Sequence, residues 1–139
     1  MRKCERLTRI LYGVEMHYGE IDLSKQCTNI FFFIVEHTDD KEFIQKQAVQ
    51  LLSAGCRDYH FFGKQEPIWH LAFDEADIMM YPNSTSETVA LTSGYESFDD
   101  FVDEIQLCIR CRYLVPTDFY LIYDDEVVYT EVKRKLGLL

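Results

Sequence analysis

The residues that could do chemistry in this chain are carboxylates gathered at the ends of predicted strands. Glu36, Asp39 and Asp40 follow one apolar run, Glu96 follows another, and Asp124, Asp125 and Glu126 follow a third. Clustered carboxylate oxygens suit a hard divalent cation, and such a cation supports phosphoryl transfer or hydrolysis. Two departures weigh against that chemistry: no strand-end Lys lies near the last acids, and no DxD triplet occurs. The same residues also read as helix caps, because Asp at a helix start accepts otherwise unpaired backbone N–H groups.

The remaining constellations are weaker. Cys108-Ile-Arg-Cys111 is formally CxxC, but it falls at the end of a predicted helix, where the dipole raises a thiol pKa, and Cys108 lies on the apolar stripe. His17, His37, His60 and His70 are dispersed, and none pairs with another at ligand spacing. His37 stands out only for its neighbours Glu36 and Asp39. Six scattered glycines form neither GxGxxG nor GxxxxGK[ST], and Ser93-Gly94 lacks the GxSxG frame of a nucleophile elbow. The sequence therefore assigns no catalytic residue, no cofactor and no metal site.

The elements that must position these groups follow from hydrophobic periodicity. Asn29–Val35 is an unbroken apolar and aromatic run, as in a strand buried on both faces. Tyr59–Phe62, Thr88–Thr92 and Phe119–Tyr123 read as further strands. Between and after them lie helical stripes: Phe43 to Leu52, ended by Gly55; Ile68 to Met80, with Pro67 in the first turn; Phe98 to Ile109, begun by Ser97 with Asp100; and Val128 to Leu136, capped by Asp124 or Asp125. A β-hairpin through Asp124-Asp125 is the alternative for the last segment. Strand–helix alternation four times over predicts a single α/β domain over residues 1–139. Its expected form is a small three-layer fold, with a mainly parallel four-stranded sheet in the order 2-1-3-4 and helices on both faces. Residues 1–26 are less readable, and the spacing of Leu7, Ile10, Leu11 and Val14 fits a helix.

Composition narrows the function. The chain has 139 residues, 47% of them hydrophobic and 27% charged, with a net charge of −10, which argues against nucleic-acid and anionic-membrane binding. The N-terminus lacks the apolar core of a signal peptide, and the longest apolar run is too short to span a membrane. The odd cysteine count, five, fits reduced thiols in a cytoplasmic protein. Between Lys64 and Arg110 there is no Lys or Arg but ten acids, while the rest of the chain holds 14 of each sign, so the whole net charge comes from this stretch. Asp99/Asp103 and Asp100/Glu104 are like-charge i,i+4 pairs, each costing about 0.2–0.5 kcal/mol. A basic partner reverses that cost and is steered by it. The expected partner face is Asp74, Asp77, Tyr81, Tyr95, Glu96, Asp99, Asp100, Asp103 and Glu104, with the tyrosines adding apolar area.

A small acidic domain with this acid-rich stretch and no catalytic motif resembles the immunity proteins of bacterial toxin–immunity pairs, including those of contact-dependent growth inhibition. The resemblance is one of kind and carries no aligned residue. It implies a non-enzymatic inhibitor of a basic toxin domain, such as a nuclease. A regulatory adaptor for another basic partner and a metal-dependent enzyme using the strand-end carboxylates are the other two readings.

Overall fold

A run with no polar position has no solvent face, so Ile30–Ile34 has to lie inside, and all five residues of this strand are buried. In the computed structural model, which describes residues 4–17, 29–86, 88–111 and 117–139, it is the central strand β3 of the sheet. The elements in chain order are β1 (Cys4–Arg6), β2 (Leu11–Glu15), β3, α1 (Lys41–Ser53), β4 (Asp58–Phe62), α2 (Glu66–Met80), β5 (Leu91–Tyr95), α3 (Phe98–Arg110), β6 (Phe119–Tyr123) and α4 (Glu126–Lys135). The α/β class and the helices on both faces agree with the sequence reading.

The sheet has six strands rather than four, in the order β1-β2-β6-β3-β4-β5. All pairings are parallel except β1 with β2. The expected order of the four central strands is also corrected, because β6 and not β5 lies beside β3. The chain lays down β3, β4 and β5 side by side, then returns to the far side of β3. The strand order therefore reverses between β3 and β6, which stay parallel.

Alternation along β3 distributes two cores. Phe31, Phe33 and Val35 point to the side of α1 and α2, with Ile44, Leu51, Trp69 and Phe73. Ile30, Phe32 and Ile34 point to the side of α3 and α4, with Phe101, Val102, Ile105, Tyr129 and Val132. A fully buried Phe of this kind contributes about 1.5–3 kcal/mol.

Local chemistry starts and stops the helices largely where expected. Asp40 accepts from Glu42 N and Phe43 N to begin α1, and Gly55 follows that helix with φ of 91°. Ser97 Oγ accepts from Asp100 N, and Asp125 Oδ1 from Val128 N. Pro67 stands in the first turn of α2, and α4 replaces the alternative hairpin.

Two expectations fail at this level. Cys4–Arg6 and Leu11–Glu15 are strands and no helix forms between them: Leu11 packs in the α3/α4 core and Val14 in the α1/α2 core, on opposite faces of the sheet, so their helical spacing is coincidental. Cys56 is disulfide-bonded, while Cys4, Cys108 and Cys111 are free. The set of five reduced thiols, and the premise it gave for a cytoplasmic location, therefore do not hold. Among the described residues no helix is long and apolar enough to cross a membrane.

Candidate functional site

Parallel sheets bind ligands beyond the carboxyl ends of their strands, above all where the strand order reverses. Here that position lies between the ends of β3 and β6, and the protein fills it with its own carboxylate. Asp124 Oδ1 accepts from Glu36 N at 2.8 Å, and Asp124 Oδ2 accepts from His37 N at 2.9 Å and Thr38 N at 2.8 Å. Asp125 caps α4 and pairs with His37 Nε2 at 2.8 Å. The Val128 N–H foremost, and the His37 contact after it, hold the Asp125 carboxyl below its usual range. Trp69 Nε1 donates to Thr38 O at 2.8 Å, which fixes the same loop from the α2 side. Gly63, with φ of 128°, lets the end of β4 pass so close to Val35 O that a Cβ would lie 2.6 Å from it. Asp39 is exposed and Asp40 caps α1. Of the strand-end carboxylates expected to hold a divalent cation, Asp40 and Asp125 thus cap helices, Asp124 ties the loop after β3 and Asp39 stands in solvent, so they do not converge as that site required.

The nine residues of the expected partner face do not share one surface. α2 and α3 lie on opposite sides of the sheet and meet only around its edge strand, β5. Asp77 is 4% exposed and its Oδ2 accepts from Ala90 N at 3.1 Å, so it belongs to the interior. Asp74 accepts from Thr92 Oγ1 at 2.5 Å. Tyr81 donates to Leu52 O and packs against the α1/α2 core, with the Arg57 guanidinium over its ring. Glu96, Asp99, Asp100 and Asp103 are exposed around the start of α3. None of the ion pairs among the described residues involves them.

The last two members, Tyr95 and Glu104, turn inward to a cluster that the sequence reading did not assemble. His60, in the middle of β4, is 5% exposed and stacks on Phe32 and Tyr95. Its Nδ1 lies 2.8 Å from Tyr95 Oη. Asp58 Oδ1 is 2.7 Å from His60 Nε2 but outside hydrogen-bonding geometry, so this buried ring nitrogen has no hydrogen-bond partner. Glu104 and Cys108 face His60 from successive turns of α3, and Cys108 Sγ donates to Glu104 Oε1 at 3.6 Å. One donor atom from each of His60, Glu104 and Cys108 falls within 4.8 Å of the others. Burial foremost, then the Glu104 charge, pushes the Cys108 thiol up to about 12. The direction expected at a helix end is right, but the main cause is burial. Tyr95 is raised for the same two reasons.

Sequence reasoning missed this cluster because it looked for histidine pairs at local spacing, whereas His60 meets its neighbours only through the β4–β5–α3 packing. The i,i+4 pair Glu104 and Cys108 on one helix face was the available signal. His37 pairs with Asp125, and His70 meets Glu66, Asp74 and Thr92 and stacks on Phe61. Searches against known families, curated proteins and solved structures find no match for this chain.

Proposed function

We propose that this domain is a non-enzymatic binding protein that docks a basic protein domain on the start of α3 and inhibits it, as an immunity protein does its toxin. The carrying observation is the exposed group Glu96, Asp99, Asp100 and Asp103, which lacks ion pairs among the described residues and lies in a stretch devoid of Lys and Arg. Uncompensated charge of one sign attracts a partner of the other and raises the association rate. Asp74, Asp77, Tyr81, Tyr95 and Glu104 are left out of this smaller face, because each is engaged within the fold.

The test uses the full chain as bait against extract of the source cell, beside a Glu96→Lys/Asp99→Lys/Asp103→Lys variant. A basic protein held by the wild type, released by rising salt and lost by the variant is the expected result. The purified partner should then lose its activity on adding the wild type. Equal retention by both baits refutes the face. Retention without loss of the partner's activity refutes inhibition and leaves an adaptor.

A further inference from the structure

We propose that His60, Glu104 and Cys108 form a three-donor zinc-type metal site that fastens α3 to the sheet. Three observations carry this. First, His60 is buried, and its Nε2 has no neighbour in hydrogen-bonding geometry, Asp58 Oδ1 standing 2.7 Å away out of line. Second, the other ring nitrogen is already held by Tyr95 Oη at 2.8 Å. A metal-bound histidine characteristically uses one nitrogen as ligand while a second group holds the other and fixes the ring. Third, the cluster joins metal donors of mixed type, one atom from each of His60, Glu104 and Cys108 lying within 4.8 Å of the others.

The donor set selects the class of metal. Imidazole and thiol suit zinc and its neighbours, whereas magnesium and calcium take oxygen alone. Four donors around zinc at about 2.0–2.3 Å stand about 3.3–3.8 Å apart. The 3.6 Å from Cys108 Sγ to Glu104 Oε1 falls inside that range. The His60 donor must close on the other two by about an ångström, and the half-buried Glu104 carboxylate can make such an adjustment. Charge fits as well: Glu104 and Cys108 belong to the stretch between positions 64 and 110 that holds no Lys or Arg. Because the ligands come from β4 and α3, the ion would act as a staple between layers. This inference does not depend on the proposed partner.

The experiment is cobalt and zinc titration of the full chain with its free thiols reduced. Co²⁺ bound here gives a thiolate-to-cobalt charge-transfer band and the intense visible absorption of a tetrahedral site, with one equivalent per chain, and Zn²⁺ displaces it and raises the melting temperature. Cys4→Ser/Cys111→Ser retains the band and Cys108→Ser abolishes it. If Cys108→Ser fails to fold, Glu104→Gln carries the test, with affinity at least tenfold weaker and a native circular dichroism spectrum. No binding by the wild type, a band that survives Cys108→Ser, or unchanged affinity in Glu104→Gln overturns the site.

Discussion

The two sides of the sheet are built from the same strands and differ in kind. Towards α1 and α2, β3 and β4 present Phe31, Phe33, Tyr59 and Phe61, which meet Trp69 and Phe73 in a continuous aromatic stack. Towards α3 and α4 they present Phe32, His60 and Phe62, and a titratable cluster interrupts the apolar layer. Period-two alternation lets neighbouring residues of one strand serve separate ends, so Tyr59 and His60 are adjacent in sequence and opposite in environment. Stability is concentrated on the first side, and chemical potential on the second.

If that division is right, the largest loss comes from the aromatic side. Phe33→Ala, which removes a ring packed against Phe61, Trp69 and Phe73, should cost about 3–5 kcal/mol in denaturant unfolding. A cost below about 1 kcal/mol would show that the stack is not where stability resides. Next in size is Asp124→Ala, which strips three backbone N–H groups of a charged acceptor and should cost about 2–3 kcal/mol by the same measurement.

Alkaline pH probes both sides together. Burial foremost raises the phenols of Tyr59 and Tyr129 far above their ordinary 10.0. Their folded pKa values exceed the unfolded ones, so the stabilisation is complete below pH 10 and declines as pH rises above it, by about 1.4 kcal/mol per pH unit for each phenol. Phenolate absorbance and loss of the circular dichroism signal should therefore rise together. Ionisation of all tyrosines in the native fold would contradict this.

A smaller effect belongs to the Asp125 cap. Asp125→Ala should cost about 1 kcal/mol at neutral pH. Because the folded carboxyl titrates below its usual range, that difference is full above the ordinary Asp pKa and shrinks as pH falls through the lowered value. Thermal melts of both proteins between pH 7 and pH 3 check it. Least of all, Asp103→Lys on the exposed face should change free-protein stability by no more than about 0.5 kcal/mol, since it trades one like-charge pair with Asp99 for attraction. A melting temperature that falls steeply would mean that Asp103 is structural.

What the sequence made legible was local. The β3 run, the four helical stripes and the caps Asp40, Ser97 and Asp125 each depend on residues within a few positions of one another. What stayed hidden depends on distant pairing. β2 is a strand because β6 hydrogen-bonds beside it, and Asp77 is interior because Ala90 N reaches it from the other end of a loop. The acidic face lost its α2 members because a charge count does not tell which layer a helix joins. Of the nine expected residues, the four that remain exposed around the start of α3 are the ones nearest a recognisable cap, Ser97.

Asp124 has one more consequence. A carboxylate gripped by three consecutive amides is chemically a bound acetate that happens to be tethered to β6. Cutting the tether with Asp124→Gly leaves a ready receptor for a free anion in its place. Formate or acetate added to that variant should restore part of its lost melting temperature, with the small carboxylates outperforming chloride. The fold thus contains an internal ligand at the position where open parallel sheets in general admit an external one, and the step from one condition to the other is a single codon.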